Sequence, residues 1–237
     1  MFMPTIEKKK LILACADLDA SPLFCTDEDG NRYGYEPEVA QAVVDELGWV
    51  LEWRFLRWAE FVPALENQEV DGIWCGCAIT VEREKQFLYS KPYAVFNESL
   101  LVKKGSGINA LRDLKDKRVG AISGSTNMAL AEKWVGCHTI GFDGQSDDVF
   151  KEMIDALNAD EIDAVVDDEP AFGGVLANET FEVAFTVETK NRWGVAMLPS
   201  QIALKRELDR ALKLIIDNGK IESIWRNCFR DIPFPEL

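Results

Sequence analysis

Asp71–Glu84 reads D-G-I-W-C-G-C-A-I-T-V-E-R-E, and the fold turns on how that stretch is understood. Its first half is a continuous apolar run, the pattern of a strand buried on both faces of a parallel sheet. The run breaks at Gly76 and gives way to a polar segment with one arginine, Arg83. In open α/β sheets ligands sit beyond the carboxyl ends of the strands. A strand ending in small residues (Cys75, Gly76, Ala78) and followed by an arginine therefore marks a candidate anion site. The guanidinium fork matches a carboxylate with two parallel hydrogen bonds. The plainer alternative is a solvated arginine on the first turn of a helix.

The rest of the chain alternates strand and helix. Leu11–Ala16 reads as a first buried strand ending at Asp17. Asp27–Gly34 is dense in turn residues. Glu36–Leu47 places Val39, Val43 and Leu47 on one helical face, closed by Gly48. Trp49–Leu56 alternates as a second strand, Trp58 opens a helical stretch, and 71–78 is the third strand. Leu100–Val102 reads as a short strand. Arg118–Ile122 begins a second β-α series that continues through a helix at Met128–Trp134, a helix at Asp147–Leu157 and a strand at Ile162–Val166. Arg192–Met197 returns as a strand, and Leu204–Asn218 and Ile221–Phe229 are amphipathic helices. The repeated pattern predicts two α/β lobes with parallel sheets. Crossings are expected near 100–104 and 191–196, giving one lobe from 1–101 plus 196–237 and another from 102–195.

Composition narrows the function. The 237 residues carry 26 Lys+Arg against 41 Asp+Glu, a net charge of -15, which argues against nucleic acid and anionic membrane surfaces. No apolar run reaches the roughly 18 residues of a bilayer span. Met1–Lys10 is basic with no apolar segment behind it, so the chain is read as cytosolic or as lacking its export signal. Six scattered cysteines without a C-x-x-C, and one histidine, His138, argue against a zinc site. No cofactor is expected.

The second series adds two constellations. Ser123–Asn127 (S-G-S-T-N) lies between strand and helix, where backbone N–H groups and the hydroxyls of Ser125 and Thr126 favour an anion. A simple N-cap is the competing reading. Asp167-Asp168-Glu169-Pro170 stands at a strand end, where a carboxylate suits an ammonium group or caps the turn that follows. Phe24, Trp58 and Trp74 are candidate wall aromatics, and Asp17 is a candidate for a polar or cationic ligand group. Cation for carboxylate, acid for ammonium and an aromatic wall describe a site for a small zwitterion.

The order G-Y-E-P-E-V-A (34–40), W-A-E-F-V-P-A-L (58–65), V-D-G-I-W-C-G-C-A-I-T-V-E-R (70–83), S-K-P-Y (90–93), L-K-D-K-R-V-G-A-I-S-G-S-T (114–126), I-D-A-V-V-D-D-E-P (162–170) and W-G-V-A (193–196) resembles the polar amino-acid solute-binding proteins of ABC importers, family 3. The resemblance implies a periplasmic-binding-protein-like fold, with two lobes on a two-segment hinge and the ligand trapped between them. It implies Arg83, Ser125 and Thr126 on the ligand carboxylate, with Asn127 beside them, and Asp168 with the Gly76 carbonyl on the ammonium. Trp58 and Asp17 then fall against the ligand side chain. It further implies a monomer outside the cytoplasm, periplasmic or anchored at the cell surface, with a membrane permease as partner. Ala78 stands where the family has Ser or Thr, and Ala20 where it has an aromatic. Cyclohexadienyl dehydratases, which act on prephenate or arogenate, are similar to the same family. They need a general acid in the cleft, and no residue of the sequence must take that part.

Overall fold

The computed structural model describes residues 9–230 and 232–237. The N-terminal reading falls mostly on Met1–Lys8, outside the described residues. In chain order the strands are β1 Lys10–Cys15, β2 Cys25–Thr26, β3 Arg32–Tyr33, β4 Val50–Phe55, β5 Gly72–Ile73 and β6 Leu88–Tyr89. They continue as β7 Ala94–Lys103, β8 Arg118–Ile122, β9 His138–Phe142, β10 Ala164–Asp168, β11 Phe181–Trp193 and β12 Ala196–Met197. The helices are α1 Tyr35–Leu47, α2 Phe61–Glu66, α3 Thr126–Ala131, α4 Val149–Asn158, α5 Gly173–Leu176, α6 Ile202–Asp217 and α7 Lys220–Cys228.

Two five-stranded sheets divide the chain. The first has the order β4-β1-β5-β12-β6 and the second β11-β7-β10-β8-β9. Strands within each β-α series run parallel, β1 with β4 and β5, and β8 with β9 and β10. Both sheets are nonetheless mixed. β7 and β12 each follow a crossing, enter from the opposite end, and pair antiparallel with their neighbours.

Sheet membership corrects the first crossing. β7 pairs with β11 from Ala94 onward, so it already belongs to the second sheet, and the passage between sheets lies at 90–93 rather than at 100–104. The short strand read at Leu100–Val102 is the apolar end of a ten-residue strand. Asn97, Glu98 and Ser99 broke the apolar pattern, yet Glu98 and Ser99 are only 2% and 1% exposed. The return passes through Gly194–Val195. It is stitched to the outward passage by Ser90 N–H to the Val195 carbonyl (3.0 Å) and Val195 N–H to Ser90 Oγ (2.9 Å).

Helix α1 buries Val39, Val43 and Val44 and stops at Gly48, whose left-handed φ of 65° lets its N–H reach the Asp45 carbonyl. Helices α6 and α7 pack on α1, so the C-terminal segment completes the first lobe. Phe96, at the start of β7, stacks on Trp225 of α7 at 4.7 Å between centroids and is edge-on to Tyr35. The base of the crossing is thus anchored in the larger core. A smaller core, including Leu100, Leu114, Val119 and Val166, lies in the second lobe.

Candidate functional site

The pivotal stretch leaves its sheet early. Only Gly72–Ile73 is strand, although Trp74 N–H still reaches the Ala14 carbonyl at 2.9 Å. Gly76 then turns with φ 57°, a conformation costly for other L-residues. Its N–H is held by Glu36 Oε1 at 2.8 Å, and Tyr93 donates its hydroxyl to the same oxygen. Glu36, fully buried at the start of α1, therefore fixes the Gly76 peptide from behind. The sequence presented Glu36 as a helix-start residue, and only the fold brings it under residue 76.

Arg83 sits in a single 3-10 turn, Arg83–Lys85, whose start is held by Thr80 Oγ1 accepting from Arg83 N–H at 3.2 Å. Its Nη1 donates to the Ala78 carbonyl at 3.2 Å, which orients the guanidinium. From the other lobe, Ser125 is the N-cap of α3 and accepts from Met128 N–H at 3.0 Å. The cap reading and the cleft reading hold together there, because Ser125 also lines the cavity. Asp168 caps nothing by its side chain. Asp167 Oδ1 takes the Asp168 N–H at 2.7 Å, and Asp168 Oδ1 is buried with no hydrogen-bond partner.

One cavity of ≈ 80 Å³ between the lobes gathers Phe24, Trp58, Cys75, Gly76, Arg83, Ser125, Thr126, Asn127 and Asp168. A single water needs roughly 10–15 Å³, so the space suits a small molecule. Three residues read from the sequence are not in its wall. Asp17 is exposed, accepts from Thr26 Oγ1 at 3.3 Å and faces an adjoining groove with Arg57, Glu60 and Asp147. Arg32, spread over the Phe24 and Phe55 rings, donates to the Ala16 carbonyl and occupies the space beside the end of β1. Ala78 is 2% exposed behind the wall, bridged to Trp193, and contributes its carbonyl to Arg83. Trp74 is core, stacked on Tyr93 at 4.7 Å.

The cleft is shut on two sides. On one, Arg57 Nε meets Asp147 Oδ1 at 2.6 Å, and Ala59 N–H donates to the Gly144 carbonyl at 3.1 Å. A Cβ on Gly144 would lie 2.8 Å from Trp58 Cδ1. On the other, Gly174 N–H donates to the Ser21 carbonyl at 2.7 Å, and a Cβ on Gly173 would lie 2.5 Å from Pro22 Cδ. Neither Arg57 nor Asp147 carried a recognisable signal, since each is an ordinary surface charge until the lobes meet.

A model of the bacterial extracellular solute-binding proteins, family 3, matches residues 12–231. The chain belongs to that family. The family's alignment thus spans both sheets and the crossings between them. Among curated proteins, this member is 28% identical to the arginine-binding extracellular protein ArtP of Bacillus subtilis, covering 94% of this chain and 87% of that one. It is 29% identical to the ABC transporter glutamine-binding protein GlnH of the same organism, over 86% and 75% of the two chains. Among solved structures, an ancestral arginine-binding protein bound to arginine superposes with a TM-score of 0.84 at 26% identity, over 94% of this chain and 99% of that chain.

Burial sets the electrostatics of the second lobe's wall. Asp168 is pushed well above the usual carboxylate range, first by burial, then by the neighbouring charges of Asp167, Glu98 and Glu36. Asp167 and Glu98 are raised for the same first reason. Among the described residues no cluster of metal-ligating side chains is present.

Proposed function

We propose that this family member is the receptor of an ABC importer that traps one amino acid with a polar or cationic side chain. Arg83 takes the α-carboxylate, with Ser125 and Thr126 closing on it from the other lobe. Asp168 takes the α-ammonium together with the Gly76 carbonyl. Trp58 and Phe24 flank the side chain, which points toward the Arg57–Asp147 pair. Beyond that pair lies the groove with the carboxylates of Asp17 and Glu60. The observation that carries the reading is the placement of Arg83 and Asp168, from opposite lobes, around one closed cavity. Only the closed form makes both contacts, so ligand shifts the population toward it. The closed receptor then docks on a membrane permease, outside the cytoplasm and as a monomer.

The test is a thermal-shift screen of the twenty amino acids with ornithine and citrulline, followed by calorimetry. A ligand at 100 times its Kd adds about 2.7 kcal/mol of stability, so a true ligand gives a clear shift. A shift lost in Arg83→Ala supports the site, and a folded Arg83→Ala protein that binds as before excludes it. The dehydratase alternative is not favoured, because the relatives quoted are named for binding. The buried acids of the cleft do supply a group able to stay protonated, so incubation with prephenate is the control. Phenylpyruvate formation there would replace the receptor reading.

A further inference from the structure

Glu98 has no part in the site as described, and its position is peculiar. It is 2% exposed in the middle of β7, directly opposite Asp168 of β10 in the antiparallel register. Directly opposed side chains on one sheet face lie close, and like charges there repel. Glu98 Oε1 has no hydrogen-bond partner, nor has Asp168 Oδ1, nor Nδ2 of Asn127, which is itself 6% exposed. Buried polar atoms are normally partnered, so two acceptor oxygens here lack a donor and one amide N–H lacks an acceptor.

The surrounding charges do not neutralise it. From β10, Asp167 adds a third carboxylate, and Glu36 of α1 adds its charge to Asp168. On β11, Thr189 and Asn191 stand beside Glu98 and favour its ionised form, yet Thr189 Oγ1 and Asn191 Nδ2 make no hydrogen bond. Asn127 of α3 acts likewise on Asp168. Lys133, after α3, is the cation that acts on Glu98. Even so, two buried carboxylates side by side cannot both ionise cheaply.

We propose that Glu98 is a positioning residue of the ammonium end: with Asp168 it holds a single proton in the ligand-free protein, and a primary ammonium group entering the cavity replaces that proton against Asp168. The exchange balances. Asp168 loses its proton to solvent, the ligand nitrogen keeps all of its own, and the pair's net charge becomes one unit more negative as one positive charge arrives. Glu98 thereby makes the site demand a compact N–H-bearing cation. A trimethylated nitrogen has no N–H to give the orphaned oxygens, and a deaminated analogue brings no charge. The exchange rests on the receptor reading above, whereas the shared proton does not.

The experiment therefore has two arms on the full chain. In the first, carboxyl carbon NMR follows every Asp and Glu of the ligand-free protein with pH, in wild type, Glu98→Gln and Asp168→Asn. The expected result is two coupled carboxyls titrating above the ordinary carboxylate range, with apparent midpoints belonging to the pair. In Glu98→Gln the remaining midpoint falls. Ionisation of all carboxyls in wild type within the ordinary carboxylate range overturns the proposal, whatever the variants do. In the second arm, L-arginine, L-glutamine and glycine betaine are titrated by calorimetry at pH 6.5 in phosphate and in Tris. Proton release with an amino acid, absent in Glu98→Gln, and no binding of betaine are expected. Binding without proton release overturns the exchange and leaves the receptor reading intact. No amino-acid binding, with the high midpoints still present, overturns the receptor reading and the exchange with it while the shared proton stands.

Discussion

The two walls of the cleft are built differently. In the first lobe the cavity-lining groups are already partnered: Ala78 and Thr80 orient Arg83, and Glu36 holds the Gly76 peptide, although its own Oε2 has no partner. In the second lobe Asp168, Glu98 and Asn127 keep buried polar atoms without partners. A preformed wall binds first and loses little on ordering. An unsatisfied wall gains most when a ligand's charge arrives, so on the proposed reading the second lobe would supply the differential contacts that favour closure.

The largest expected effect breaks the preformed side. On the proposed reading Arg83→Ala removes the partner of the ligand carboxylate, and breaking such a buried pair costs roughly 3–5 kcal/mol, two to four decades of affinity by calorimetry. Ligand-free stability should hardly change. Next, Gly173→Ala attacks closure alone. Its Cβ falls 2.5 Å from Pro22 Cδ across the cleft, and overpacking of this kind costs about 1–3 kcal/mol. The loss should appear in affinity and not in the melting temperature of the ligand-free protein.

The third prediction concerns pH. Asp168, Asp167 and Glu98 have folded-state values raised above those of the unfolded chain, with burial as the first cause. Between the unfolded and folded values the native state binds more protons, so ligand-free stability is fully present below the unfolded values and is lost as pH rises through the folded ones. Each group contributes a slope of up to about 1.4 kcal/mol per pH unit. Glu98→Gln should flatten this decline in melts taken from pH 4 to 8, and a curve identical to wild type would count against the buried acid pair. The smallest effect belongs to Arg57→Ala. Its ion pair with Asp147 is 44% and 86% exposed, and such exposed pairs contribute little. A modest rise in Kd that vanishes at high salt is expected.

Much of the architecture was legible because burial leaves a pattern. The apolar runs at 11–16 and 118–122 and the spacing of Val39 and Val43 reported strands and a helix directly. The pattern fails where polar residues are buried. Strand β7 was cut short by Asn97-Glu98-Ser99, and the first crossing moved with it. The strand at 71–78 was overextended because Gly76 turns out of the sheet within an apolar run. Asp17 was credited with a ligand contact by its place after a strand, but Arg32 and Thr26 engage that corner instead.

By itself the sequence determined the two β-α series, the acidic surface and the residue types at the strand ends, since these depend on local periodicity and composition. The tertiary structure decided which of those residues meet. Arg83 and Asp168 share a cavity, Asp17 and Ala78 stay out of its wall, and Glu36 and Glu98, distant in sequence, stand behind Gly76 and beside Asp168. The physical reason is that a carboxylate's meaning lies in its neighbours. Desolvation and an unpartnered oxygen arise only when separate segments close around it.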